Sequence, residues 1–434
     1  MAGEWRLGTL GDLIKCGDAH LQTGPFGTAL KATEYSTSGV PLISVGEVRH
    51  GYFEITDNTP RVSTKTTERL PKFVLKADDI VFGRKGGIDR NAIVKSQQNG
   101  WFLGSDGIRL RLSAKHSSLF FSYQMRSPTT RAWLLQHCEG TTMPSLNQDI
   151  LGRVPIVLPP LSEQKRIAHI LGTLDDKIEL NRRMNATLEA MARALFQSWF
   201  VDFDPVQRNA EGGGQRPDDS LFPDSFEDSE PGEIPMGWRC SDIADVCDIN
   251  GWTLSKKDEL TNLEYVEISE VNRGDISNIS NYSRGDEPSR ARRRLRHGDT
   301  VLSTVRPDRG SYFLALNPPD NRVASTGFAV LTPTKAPWSY VHAAMTQPEV
   351  FEHLGHVADG GAYPAVRPEI VGGWKVAIPD NKQILDAFHR TCAPLFEKAE
   401  ANRLQSRTLA TLRDTLLPKL LSGELCLTEK SPKI

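Results

Sequence analysis

The chain repeats itself at a fixed distance. Asp79, Gly107, Gly140, Pro144, Ile150 and Pro159 recur 220 positions later as Asp299, Gly327, Gly360, Pro364, Ile370 and Pro379. Six landmark residues holding one offset mark a duplicated unit rather than chance. Upstream the pairing is looser, with Trp238-Arg239 against Trp5-Arg6 and Ser269-Glu270-Val271 against Gly46-Glu47-Val48. Downstream the offset becomes 221, where Asn181, Leu188 and Leu195 map onto Asn402, Leu409 and Leu416. Any fold for this chain is therefore one plan built twice.

Between the copies lies a long amphipathic stretch, Leu161–Phe200. Ile167, Leu171, Leu174, Ile178, Asn181, Asn185, Leu188, Ala192, Leu195 and Trp199 follow one another at alternating steps of four and three, a sustained heptad seam. Ser162 reads as its N-cap, Glu163 suits the positive end of the helix dipole, and only Gly172 interrupts the run. At about 1.5 Å per residue such a helix would be roughly 58 Å long, more a spacer than a core element. Its twin carries Leu395, Asn402, Leu409 and Leu416 on the seam, together with Pro394, which is expected to kink or restart it. Two antiparallel helices with domains projecting from opposite ends follow from the duplication. That arrangement brings Asn181 and Asn185 to Asn402 and Ser406, and buried Asn fixes helix register at some cost in stability. The alternative is a curved seam on which these residues face solvent.

Each copy reads as a mixed α/β (α+β) domain with a strand-rich half. Short β-like runs cover 41–45, 79–82, 92–95 and 108–112, and the clearest helix covers 117–137. The resulting plan is a first domain over 1–155, a long helix within 156–203, a Gly/Pro-rich acidic linker over 204–236, a second domain over 237–377, a second long helix within 378–425 and a tail over 426–434. The linker is expected to hug the surface or to be a flexible tether. With 38% hydrophobic and 24% charged residues, burying a core is not a difficulty.

Charge is distributed unevenly. The whole chain carries −2, but ten acids against two bases between Val201 and Met236 give that segment −8, leaving +6 on the rest. A mildly basic pair of domains can hold a polyanion through local patches. The six cysteines form no Cys-x-x-Cys pair and adjoin no His cluster, which suggests neither a zinc site nor a disulfide framework and fits a reducing cytoplasm. No basic segment precedes an apolar run at the N-terminus and no run of 18 apolar residues occurs, so neither a signal peptide nor a membrane span is expected.

Catalytic signatures are missing. Amino-methylation of a base needs an Asn/Asp-Pro-Pro-aromatic loop and a Gly-rich cofactor loop. Asn317-Pro318-Pro319-Asp320 has an acid in the aromatic position, and its repeat partner Gln97-Gln98-Asn99-Gly100 is a turn between strands. No Gly-Lys dipeptide occurs, so no P-loop for ATP can be built, and the histidines make no His-x-x-x-His or Ser/His/Asp arrangement.

The helical segments resemble a known family. The run from Leu158-Pro159-Pro160-Leu161-Ser162-Glu163-Gln164-Lys165-Arg166-Ile167-Ala168, the later Leu174-Asp175-Asp176-Lys177-Ile178, and the ending Leu416-Leu417-Pro418-Lys419-Leu420-Leu421-Ser422-Gly423-Glu424-Leu425 resemble the conserved helical regions of the DNA-specificity (S) subunit of type I restriction-modification enzymes. Each copy is similar to that family's target-recognition domain, including Gly24-Pro25-Phe26-Gly27 and Gly140-Thr141-Thr142-Met143-Pro144-Ser145-Leu146-Asn147. The resemblance implies a non-catalytic subunit whose two domains each read one half of a bipartite site on double-stranded DNA, with the paired helices setting the unread spacer. It implies two methyltransferase (modification) subunits docked on the helices and translocase-nuclease (restriction) subunits around that core. S-adenosylmethionine, ATP and Mg are then expected on those partners and no cofactor in this chain. The second copy departs from the pattern, with Gly360-Gly361-Ala362-Tyr363-Pro364 in place of Gly140 to Pro144 and no Gly-Pro-Phe-Gly. A stand-alone methyltransferase or nuclease, or a DNA-binding regulator that lost its enzyme partners, are the alternative readings.

Candidate DNA contacts follow from charge and loop chemistry. Arg84 and Lys85 precede Gly86-Gly87, whose backbone could approach a phosphate, and Arg306 and Arg309 hold the same place in the second copy. Arginine there could bind guanine bidentately, and Asn147 or Gln148 could serve adenine. The run Arg290 to Arg296, with Arg292, Arg293 and Arg294 at its centre, is the densest basic stretch and corresponds to Arg69, Lys72 and Lys76. Lys31, Thr141, Thr142 and Ser145 in the first copy, with Tyr363 and Arg367 in the second, complete the set. Beyond the seam, Ala190, Phe196 and Phe200 are expected to leave apolar surface for partner subunits.

Overall fold

Each copy of the repeat builds the same central sheet from the same kinds of strand. The computed structural model describes residues 5–425, apart from Thr141, Gln215, Glu230, Pro231, Lys256 and Ala362. It divides into two compact units, Met1–Ile178 with Arg407–Ile434, and Glu179–Ser406.

In the first unit, strands Ala19–Thr23, Gly107–Leu112, Ile80–Gly83 and Asn91–Ile93 lie in that order, all antiparallel. Ile80–Gly83 is buried along its whole length, as an inner strand covered on both faces must be. A second sheet orders Tyr35–Ser36, Arg61–Val62, Val40–Ile43 and Phe102–Leu103, the last pair parallel with Leu42 opposite Phe102. Helices Ser118–Arg126 and Pro128–His137 replace the single helix expected over 117–137. Ser127 closes the first, and its hydroxyl accepts from the Thr130 amide while Pro128 takes the first helical position, where a missing N–H costs nothing. Strand Arg6–Thr9 pairs with Pro155–Leu158 just before the long helix.

The second unit orders Cys247–Ile249, Phe328–Pro333, Asp299–Ser303 and Tyr312–Ala315, the same arrangement strand for strand. Its other sheet orders Ser280–Ser283, Asn262–Val266, Arg322–Ser325 and Ala291–Arg294. Helices Trp338–Met345, Pro348–His356 and Pro368–Gly372 and strand Lys375–Pro379 follow, as their counterparts do in the first unit. Asn317-Pro318-Pro319-Asp320 lies in the turn between strands Tyr312–Ala315 and Arg322–Ser325, with Asn317 at φ +47°.

The long helices are Leu161–Phe200 and Lys382–Leu421, 40 residues each. The first starts at Leu161, so Ser162 lies inside it; Glu163 and Gln164 donate their amides to the Pro160 carbonyl. The second runs unbroken through Pro394, contrary to a restart there. Its flanks explain why: Cys392 and Phe396 are buried in the second unit's core, and tertiary packing offsets the lost helix hydrogen bond. Within the first unit, Ile167, Ala168 and Leu171 share a core with Leu417, Leu420, Leu421, Phe120 and Phe121. Asp175 ties this together, accepting from the Tyr123 hydroxyl at 2.7 Å and from Arg413 at 2.6 Å, with Arg126 at 3.5 Å.

Within the second unit the polar centre of the seam is buried. Asn181 donates to the Gln405 carboxamide oxygen at 2.9 Å and to Ser406 Oγ at 3.2 Å, Asn185 donates to the Ala399 carbonyl at 3.0 Å, and Asn402 donates to Asn185 Oδ1 at 2.9 Å. Rising numbers on one helix meet falling numbers on the other, so the two run antiparallel here. Phe196 and Phe200 do not form a free apolar face: both are buried against Trp238, Tyr340 and Phe388, which lie in the second copy and at the start of the second helix. Ala190 is exposed. Nor is the stretch after the first helix a loose tether. It forms helix Asp204–Ala210 and the hairpin Phe226–Ser229 with Gly232–Pro235, and it gives Val206, Phe222 and Ile234 to the second unit's core.

Candidate nucleic-acid interface

Both units present a short hairpin clasped to a loop after an inner strand. In the first, Glu139 and Ser145 exchange backbone bonds at 3.0 and 2.7 Å, and the Gly86 amide reaches the Pro144 carbonyl at 2.8 Å. In the second, Asp359 and Ala365 exchange bonds at 3.1 and 2.8 Å, and the Arg306 amide reaches the Pro364 carbonyl at 2.7 Å. Gly140 at φ +91° and Gly360 at φ +121° make the tight reversals, a backbone conformation other residues adopt only under strain. What differs is the tip. Met143 is 57% exposed in the first unit, while Tyr363 is 71% exposed in the second, with the Arg306 guanidinium 4.6 Å from its ring centre.

The clasp changes the role of the Gly86-Gly87 loop. Both glycine amides are already bonded, to Pro144 and to Lys85, so they are not open to a phosphate. The loop offers side chains instead: half-buried Arg84, and exposed Lys85, which lies 3.4 Å from Asp106. Ser145 bridges Lys85 and Glu139 through the backbone, Thr142 and Lys31 are exposed, and Thr141 lies outside the described residues. Asn147 is committed to structure, its oxygen capping helix Gln148–Gly152 at the Ile150 amide and its nitrogen donating to Glu139.

Next to this loop the first unit has a groove of about 520 Å³, lined by Thr23, Phe26, Lys72, Arg84 and Gln148 among others. The Gly-Pro-Phe-Gly motif forms one wall for a steric reason. A Cβ on Gly24 would lie 1.7 Å from the Gly104 carbonyl oxygen, so only glycine brings the chain this close and turns Phe26 outward, 69% exposed.

The arginine run of the second unit is half-buried at its centre and exposed at its ends, Arg290 and Arg296. Strand Ala291–Arg294 places Arg292 3.1 Å from Glu287 and Arg294 2.8 Å from Asp258, with the Arg294 guanidinium 3.8 Å from the Trp252 ring centre. Burial holds Arg293 below the usual arginine range. Other exposed cations are Arg309 in the turn after Arg306, Arg367 ahead of helix Pro368–Gly372, and Arg273. Among the described residues, Arg273 and Arg309 have no acidic partner at ion-pair distance. Sequence reasoning missed Arg273, although Asn272-Arg273-Gly274-Asp275 is a hairpin-turn pattern; it sits at φ +43°, with its amide on the Gly310 carbonyl.

Among the described residues, no group of three or more His, Cys, Asp or Glu side chains is placed to hold a metal ion, and no helix is long and apolar enough to cross a membrane. The features that remain are basic loops, an exposed aromatic in each unit and a groove. Residues 3–190 match the family described as the type I restriction modification DNA specificity domain. Over that stretch, the first copy and most of its long helix, the chain is similar to the type I restriction specificity subunits. It is 22% identical over 428 residues to the type I restriction enzyme MjaIX specificity subunit of Methanocaldococcus jannaschii, covering 96% of this chain and 94% of that one. Against the HindI specificity subunit of Haemophilus influenzae the identity is 25% over 357 residues, covering 67% and 73%. The crystal structure of the type I restriction-modification S subunit from M. genitalium has the same fold, with a TM-score of 0.56 and 16% identity over 98% of this chain and 97% of that one.

The helix-pairing residues fall in both units. Ile167 and Leu171 are buried and Leu174, Ile178, Leu409 and Leu416 half-buried in the first; Asn181 and Asn402 are buried and Leu188, Leu195 and Leu395 half-buried in the second.

Proposed function

We propose that this chain is the DNA-recognition and scaffold subunit of a type I restriction-modification complex in the cytoplasm, with each copy reading one half of a bipartite site on double-stranded DNA. The observation that carries the reading is one clasped-hairpin scaffold accompanied by different exposed side chains, Met143 and Phe26 in one unit and Tyr363 in the other. Two unlike half-sites require that combination: the shared backbone sets the approach to the duplex, and the side chains that differ set the bases read. The domains are 1–155 and 237–377, and the helices between them set the length of unread DNA.

In this reading the chain performs no chemistry. Methyl transfer from S-adenosylmethionine belongs to two modification subunits, and ATP- and Mg-dependent translocation and cleavage belong to restriction subunits. The modification subunits dock on the exposed apolar side chains that the helices keep, Leu180, Met191 and Leu404 in the second unit and Leu412 in the first. Mapping methylated bases in a host with and without this gene tests the proposal. A two-part motif with a fixed gap that vanishes with the gene is expected, and exchanging residues 1–155 should change one half only. A motif that survives deletion, or two halves that change together, would refute it.

A further inference from the structure

The groove of the first unit brings two basic side chains, Lys72 and Arg84, to the same place as an exposed amide, Gln148. We infer that Gln148, positioned by Thr23 and flanked by Phe26, selects an A·T pair in the half-site of the first unit, an inference that rests on the DNA-recognition reading above. Gln148 opens helix Gln148–Gly152 and is exposed. Its Nε2 donates to Thr23 Oγ1 at 3.0 Å, a bond between residues 125 positions apart. A glutamine amide has two N–H donors and one carbonyl acceptor. Thr23 takes one donor, leaving one N–H and the carbonyl oxygen of Gln148 for a ligand.

Adenine needs that pair, because its major-groove edge presents N7 as acceptor and the N6 amino group as donor. Guanine presents two acceptors there and would set its O6 against the Gln148 carbonyl. Phe26 supplies the apolar surface that suits a thymine methyl, and Lys72 and Arg84 in the same groove supply charge for the backbone. Asn147 is spent on its helix cap and on Glu139. The second unit carries no amide at the matching position. The position 220 residues after Gln148 is Pro368, which has no amide side chain, and in the segment that follows strand Cys247–Ile249 Leu254 is buried and the Arg294 guanidinium lies over the Trp252 ring.

The test uses the chain assembled with its modification subunits and maps methylated sites for each variant. Gln148→Ala should relax one A·T position in one half of the motif by about tenfold or more, with the other half and the gap unchanged. Gln148→Glu, which can only accept, should move preference at that position from adenine toward cytosine. Thr23→Val should give a partial relaxation at the same position, while Arg84→Ala should weaken binding to every sequence alike. If Gln148→Ala and Phe26→Ala leave every position as strict as before, the inference is overturned and the recognition reading stands. If exchanging residues 1–155 leaves the motif unchanged, the recognition reading itself has failed. Gln148 is exposed, so an unchanged melting temperature reports that the variant is folded.

Discussion

The buried amides of the helix pair can be weighed in a double-mutant cycle. Asn402 donates to Asn185 Oδ1 at 2.9 Å and Asn185 donates to the Ala399 carbonyl at 3.0 Å, with the two residues 3% and 8% exposed. Asn402→Ala removes one buried bond and leaves an Asn185 acceptor bare, a cost of about 2 kcal/mol. Asn185→Ala removes two bonds and costs about 3 kcal/mol. The shared bond is lost in both, so the double variant should cost about 4 kcal/mol rather than the sum, a coupling of about 1 kcal/mol. For a unit of this size each kcal/mol moves Tm by about 2–4 °C, so calorimetry on the full chain should read Asn402→Ala as a fall of about 4–8 °C. Replacing both residues by Leu should be neutral or stabilising, because the polar pair fixes register at the expense of stability. In the assembled complex that same Leu pair should blur the gap between the two methylated half-sites. Strictly additive alanine costs, or a Leu pair that leaves the gap sharp, would refute the claim that these amides set the register.

Asp175→Ala strips one acceptor from Tyr123, Arg126 and Arg413 at once, and with Arg126 only 8% exposed it should destabilise the first unit by about 3 kcal/mol or more in denaturant titration. Burial, with Arg403 nearby, pushes His342 down to about 3. The unfolded chain therefore takes the proton first, near pH 6.5, so this contribution is intact above that pH and is lost as pH falls toward 3. Between pH 6.5 and 5 it amounts to about 2 kcal/mol, and His342→Gln should flatten that part of the stability–pH profile. Arg309→Ala should lower the salt dependence of DNA binding by about one ion, whereas Arg294→Ala, which breaks the contacts to Asp258 and Trp252, should lower the melting temperature and leave the slope alone. Met191→Asp with Leu404→Asp should abolish co-purification with a modification subunit at unchanged helix content, and retained binding would place the docking surface elsewhere.

The repeat and the long helices were legible because they are periodic: one spacing of landmarks and one heptad seam are enough to fix element type and order. Asn181, Asn185 and Asn402 stood out as polar breaks in an apolar row. Readings that depended on what else packs nearby did not carry over. Phe196 and Phe200 looked like surplus apolar surface, because nothing in a helical period says that a domain later in the chain covers them. Pro394 looked like a break, because propensity is local and the core around Cys392 and Phe396 is not. At the centre of the arginine run, expected to face phosphate, the fold adds partners that the sequence did not show: Glu287, Asp258 and the Trp252 ring. In the groove, Phe26 and Gln148 are 122 residues apart, and only the fold brings them to one place.

The composition of the first unit also has a consequence on the ribosome. Its core joins Ile167, Ala168 and Leu171 to Leu417, Leu420 and Leu421. Those partners are synthesised roughly 250 residues later, which at about 5–20 residues per second is on the order of 10–50 s. Throughout that interval the nascent first unit carries an uncovered apolar stripe, while the second unit, whose core draws on residues 192 to 396, has its segments made in one run. The half that is translated first is thus completed last. A chain terminated before Leu417 would leave the second unit with all of its core residues and the first lacking Leu417, Leu420 and Leu421.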